Sequence, residues 1–172
     1  MQLIPRVLVS GGLLLALVAG ATLDVAAQGA GPCPYASDAI LGQALGPGAH
    51  GQVVPNGTGA ICLVAGVSDT PLILTHVANA FPDGTPVPAD QLAQVAPTGV
   101  VQGPNGSAQL MPIDGLGDSA TLLIGSRADG TSGAVLTVQR GTDLYTFVMA
   151  SPPANAQDLL TGLAQAVLAA AP

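Results

Sequence analysis

Few side chains in this sequence can do acid, base, nucleophilic or metal chemistry: His50, His76, ten acids that are all Asp, and the cysteines Cys33 and Cys62. Asp114 and Asp118 flank Gly115-Leu116-Gly117, and paired aspartates can divide acid and base duties or hold calcium. Joined by His76, they would centre a metal- or Asp-dependent hydrolase, provided all three converge in one cleft. The commoner use of Asp beside Gly is a turn, and a turn opening a run of strands is the expectation here. His76 falls on an apolar strand face and reads as a core or edge histidine with a satisfied partner. His50 lies in a Gly-rich loop and is expected to be solvated. Neither histidine belongs to an H-x-x-x-H or D-x-D-x-D-G pattern, so no catalytic residue, metal ligand or cofactor is assigned.

Two further motifs lack their context. Gly46-Pro47-Gly48-Ala49-His50-Gly51 satisfies G-x-G-x-x-G, but that fingerprint binds a pyrophosphate only where a strand runs into a helix. Here it follows a predicted helix and leads into a predicted strand. A P-loop is excluded because the chain has no lysine. Gly117-Asp118-Ser119 resembles the serine block of the Gly-Asp-Ser-Leu esterases, whose block is early and whose histidine is near the C-terminus. In this chain the serine is late, Ala120 replaces the leucine and no histidine follows His76.

The cysteines take their meaning from the compartment. Arg6 precedes an apolar run from Val7 to about Leu23, and Val25-Ala26-Ala27 offers small residues for leader-peptidase cleavage. Residues 1–27 are therefore expected to be a signal peptide, with cleavage near Ala27 and a mature start at Gln28. No cysteine lies between Met1 and Gly31, so a lipid-modified cysteine is not expected and the product should be secreted rather than tethered. Membrane attachment would follow only if the leader were kept as an anchor. In that oxidising setting Cys33 and Cys62 are expected to form a disulfide, which restricts the unfolded chain by roughly 3 to 4 kcal/mol in the loop-entropy picture.

Composition removes whole classes of partner. The net charge is −7, and the only cations are Arg6, Arg127 and Arg140. Two arginines in the mature part cannot displace the counterions of a nucleic acid, nor dock on anionic lipid. With Tyr35, Phe81, Tyr145 and Phe147 as the only aromatics, there is little material for a stacking platform. Richness in Ala, Gly, Pro, Val and Leu points to a GC-rich bacterial genome.

The elements that must position these residues follow from periodicity. Residues 28–34 read as a linker, and 35–172 as a single α+β domain. Ser37 is placed to cap a helix carrying Ile40, Leu41, Ala44 and Leu45, stopped by Gly46-Pro47-Gly48. Strands are expected at Val53-Val54 and Ala60–Val67, joined by the turn Pro55–Gly59, and at Pro71–Ala80, apolar on both faces and therefore central. A short helix is expected at Asp90–Val95, and weak strands near Val100-Val101 and Ala108–Met111. Ala120–Arg127, Ala134–Arg140 and Leu144–Ala150 read as an antiparallel three-strand meander. From Asn155 to Ala171, Leu160, Leu163, Ala164, Val167, Leu168 and Ala171 form one helical stripe. The expected fold is an antiparallel sheet with helices packed on one face.

Cys33-Pro34, Leu41-Gly42, Cys62, the turn Gly115-Leu116-Gly117-Asp118-Ser119-Ala120, the Leu136–Val148 hairpin and the Leu163–Leu168 helix together resemble a family of bacterial exported and lipoprotein domains of unknown function, widespread in actinobacteria. The resemblance spans about Cys33 to Ala171. It implies the same disulfide and α+β architecture, and no catalytic residues. The functional expectation is a secreted, non-enzymatic binding or interaction domain of the bacterial cell envelope. Its partner would be an envelope protein, a peptide or a small apolar ligand. The alternatives are the hydrolase centred on Asp114, Asp118 and His76, or a membrane-anchored structural or adaptor domain.

Overall fold

The computed structural model describes residues 31–55, 60–66, 72–95, 106–127 and 129–171. Along the chain they form α1 (Asp38–Leu45), β1 (His50–Pro55), β2 (Ala60–Ala65), β3 (Leu72–Val77), α2 (Ala89–Val95), β4 (Ser107–Pro112), β5 (Ser119–Ser126), β6 (Ser132–Arg140), β7 (Asp143–Ala150) and α3 (Ala156–Ala170). All seven strands join one antiparallel sheet in the order β1-β2-β3-β7-β6-β5-β4. The α+β class is the one expected from the sequence. The leader, the Asn56–Gly59 part of the first turn, the end of the second expected strand at Val67 and the Val100-Val101 strand lie outside the described residues.

Three local rules explain this order. β5, β6 and β7 are consecutive neighbours, as the three apolar runs separated by Gly-containing turns required, and β4 adds a fourth strand to their outer side. β3 is paired on both sides, with β2 and with β7, which explains its apolar residues on both faces. Pro55 and Pro112 close β1 and β4, the two edge strands. A residue without an N–H is tolerated there because no further strand asks for the bond.

The helices begin and end where their residues dictate. The Ser37 side chain accepts the Ile40 N–H at 3.4 Å and caps α1, and Gly46, at φ 108°, ends it in a conformation that costs other residues more. In α3 the buried positions Leu160, Leu163, Ala164, Val167 and Leu168 form the apolar stripe read from the sequence.

That stripe and Leu41 of α1 belong to the main core, which they share with alternate residues of the sheet. The register shows how the core is built. Leu122, Leu136, Phe147, Leu74 and Cys62 lie directly opposite one another across five successive strands, and all are essentially solvent-free. Each large side chain in that row stabilises the fold by about 1.5 to 3 kcal/mol through burial. The opposite sheet face carries a smaller cluster of Leu123, Val135 and Val148, with Ile73 and Ala108 against it.

Candidate functional site

Four attachments gather side chains from distant parts of the sequence at one end of the sheet. The disulfide Cys33–Cys62 ties the segment before α1 to β2, with its Cα atoms 5.7 Å apart and both cysteines buried. Asp38 Oδ1 accepts the Gly51 N–H at 3.0 Å and anchors the start of α1 to β1. The Tyr35 hydroxyl donates to the Leu74 carbonyl at 3.0 Å, which lays its ring against β3. Arg140 Nη1 donates to the Leu168 carbonyl, holding the end of α3 beside the β6–β7 turn.

Between them lies a half-open cleft of about 380 Å³, whose walls include Tyr35, Ser37, Ile40, His76, Asp143, Tyr145 and the last residues of α3. Its polar centre is a histidine and aspartate pair: His76 Nε2 lies 2.8 Å from Asp143 Oδ2. The β3–β7 register creates the pair, because His76 is directly opposite Tyr145, and Asp143, two residues before Tyr145, lies diagonally across on the same face. The imidazole stacks on the Tyr145 ring, with centroids 4.5 Å apart and planes 18° from parallel. Tyr35 meets it edge-on at 5.7 Å.

Asp143 is held on both oxygens. Oδ1 accepts the Asn79 N–H at 3.0 Å and the Thr142 hydroxyl at 3.0 Å, leaving Oδ2 for His76. Asn79 makes its bond from a left-handed turn, φ 57°, which Asn tolerates better than most residues. The turn is fixed further along, where the Phe81 N–H donates to the Thr142 carbonyl at 2.8 Å. Beyond it the buried Gln139 amide accepts from Val87 N–H at 2.8 Å and donates to the Thr85 carbonyl at 2.9 Å. The Asn79 N–H first, and the His76 bond second, hold the Asp143 carboxyl below the usual carboxylate range. Burial pushes the Tyr35 hydroxyl up to about 12, only partly offset by backbone hydrogen bonding. Tyr145 is also raised, by burial and then by the Asp143 charge.

The structure separates the residues grouped in the hydrolase reading. His76 takes Asp143 as its acid, while Asp114 and Asp118 line a different and smaller cavity of about 190 Å³. Asp118 is committed to the fold: its N–H donates to the Gln139 carbonyl at 2.9 Å, and Oδ2 accepts the Gly141 N–H at 2.5 Å. It fastens the β4–β5 turn to the β6–β7 turn. In the same turn Leu116 is buried, and Gly117, at φ 62°, sits where a Cβ would meet the Gln139 carbonyl. The Gly-Leu-Gly-Asp sequence therefore has a complete structural explanation, the turn that opens the meander. Among the described residues, no group of three His, Cys, Asp or Glu could hold a metal ion. His50 is exposed, with Nδ1 3.0 Å from the Gly48 carbonyl. It is the first residue of β1 rather than a loop residue, and its glycine-rich segment runs from the end of α1 into β1, the reverse of the dinucleotide context.

No protein-family model matches the chain, and no curated protein or solved structure matches it. Of what the resemblance to the exported two-cysteine family implies, the disulfide and the antiparallel α+β sheet are present. The disulfide is the bond of an oxidising, extracytoplasmic compartment. Among the described residues, no helix is long and apolar enough to cross a membrane.

Sequence reasoning missed Tyr35, Asp143 and Tyr145. One local sign of Asp143 was available, its position directly after the Gly141-Thr142 turn, at the start of a strand. Nothing local says that this strand pairs with the one carrying His76, 67 residues earlier.

Proposed function

We propose that this chain is an exported, non-enzymatic binding domain of the bacterial cell envelope, and that it takes its ligand in the cleft formed by α1, the end of α3, β3 and β7. The observation that carries this reading is the prebuilt floor of the cleft, a histidine fixed by Asp143 and flanked by two tyrosines. Binding sites are typically concave and largely apolar, with a few polar groups held in fixed directions. The cleft has that composition, with Pro34, Ile40, Ala170 and Ala171 as apolar walls and His76, held by Asp143 beside Ser37 and the two tyrosines, as an oriented polar group. Export through a leader cut near Ala27, membership of the two-cysteine exported family and α1 and α3 forming the layer that covers one sheet face are parts of the same proposal. The disulfide supports them.

The test is a thermal-shift screen of envelope lipids, peptidoglycan fragments and short peptides against the wild type and Ile40→Trp, a substitution that fills the cleft. The expected result is at least one compound that raises the wild-type Tm and leaves Ile40→Trp unchanged. Equal shifts in both proteins, or silence across the whole panel, would remove the cleft as the binding site.

A further inference from the structure

The chemistry of the cleft narrows its ligand. Asp143 is the charged member of the wall, and neither arginine of the described residues belongs to it. Arg140, the last residue of β6 before the β6–β7 turn, spends Nη1 on the Leu168 carbonyl. A carboxylate or phosphate entering the cleft would lose water and meet the Asp143 charge, which acts on the cleft's Tyr145 more strongly than Arg140 does from outside the wall. Anionic ligands are therefore disfavoured.

The histidine sets the second condition. Nε2 is occupied by Asp143, and Nδ1 has no hydrogen-bond partner among the described residues. With Asp143 ionised, the Nε2 proton points at Oδ2, and in the neutral imidazole Nδ1 carries the lone pair. The imidazole cannot swing to avoid that role, because Asp143, Tyr145 and Tyr35 hold it on three sides. A ligand that covers Nδ1 without offering a proton would leave a buried acceptor unpaired, a penalty that favours ligands carrying a donor. Of the other lining residues, Ser37 Oγ is engaged by the Ile40 N–H and the Tyr35 hydroxyl by the Leu74 carbonyl. Pro34, Ile40, Ala170, Ala171 and the tyrosine rings ask for an apolar body. The volume of about 380 Å³ is near the small end of ligand sites.

We infer that the cleft selects a small, uncharged, largely apolar molecule bearing one hydroxyl or N–H, which it donates to His76 Nδ1. This rests on the cleft being the binding site and adds the class of ligand.

Three probes of one shape separate the claims: 4-propylphenol, its methyl ether and 4-propylbenzoate, titrated by calorimetry at pH 8 into the full exported protein, wild type and His76→Phe. The wild type should bind the phenol at least ten-fold more tightly than the ether or the benzoate. His76→Phe keeps a ring against Tyr145 and removes the acceptor, so phenol and ether should then bind alike. Imidazole ¹⁵N shifts supply a readout independent of folding: the phenol, and not the ether, should move His76 Nδ1. Equal binding of phenol and ether to the wild type, or tighter binding of the benzoate, would overturn the ligand class and leave the cleft standing. Binding of none of the three up to 1 mM would overturn both. Retained ten-fold discrimination in His76→Phe would show that another group reads the hydroxyl.

Discussion

Removing the disulfide should cost more than any single core contact, and the cost follows from chain length. Cys33 and Cys62 are 29 residues apart. In the loop-entropy relation a closure of that length removes about 12 cal/mol/K from the unfolded chain, or about 3.6 kcal/mol at 25 °C. Domains of this kind are stable by only about 5 to 15 kcal/mol, so the double variant Cys33→Ala, Cys62→Ala should lose a quarter or more of the total. At about 2 to 4 °C per kcal/mol for chains of comparable size, Tm should fall by about 7 to 14 °C. The assay is urea unfolding followed by circular dichroism, oxidised wild type against the double variant. The slope with urea should rise, because the unlinked chain exposes more surface. The cross-link also holds the segment leading into Tyr35, so 4-propylphenol affinity should weaken in the folded fraction. A loss under about 1 kcal/mol would refute the reasoning, because the loop would then have to be constrained without the bond.

Other expectations can be checked by the same unfolding assay. Gly51→Ala would place a methyl against Cys33 Sγ and 2.9 Å from Leu41 Cδ1, and overpacking at such a site should cost about 1 to 3 kcal/mol. Gly117→Ala combines a left-handed backbone with a Cβ driven into the Gln139 carbonyl. It should destabilise by about 2 kcal/mol or more, whereas Asp118→Ala, which loses only the Gly141 bond, should cost about 1 to 3 kcal/mol. Because the folded state holds the Asp143 carboxyl below its ordinary value, that group contributes stability above about pH 3.9 that is lost as pH falls through the lowered folded value. Asp143→Asn should therefore flatten the acid limb below about pH 4 in unfolding measured against pH. N-terminal sequencing of the exported product should begin near Gln28; an intact Met1 would make the protein an anchored one.

The fold was legible where local rules decide it and the site was not. Ser37 as a helix cap, Gly46 as a stop, the α3 stripe and the three runs after Gly117 all follow from neighbours a few residues apart. The cysteine pair was legible because only one pairing exists. By contrast, the hydrogen bond between His76 and Asp143 requires β3 to leave its own neighbourhood and pair with β7, while α2, β4, β5 and β6 are accommodated elsewhere. That choice is made by burial over the whole sheet and leaves no local signature. Asp114 and Asp118 drew attention through spacing alone, and the structure shows Asp118 fastening one turn to another. Gln139 was silent in sequence because an amide in an apolar strand gives no sign that it will bond the backbone of a loop 52 to 54 residues earlier.

The claim on which the rest depends is that the cleft of His76, Asp143, Tyr35 and Tyr145 receives the ligand. The direct measurement is an amide chemical-shift map of the ¹⁵N-labelled protein titrated with 4-propylphenol. The largest changes should fall on Tyr35, Ser37, Ile40, His76, Tyr145 and Ala171 and saturate together with one Kd. Changes centred instead on residues 81–91, which line a cavity of about 500 Å³, or on the turn Asp114–Ser119, which lines the smaller cavity of about 190 Å³, would contradict it.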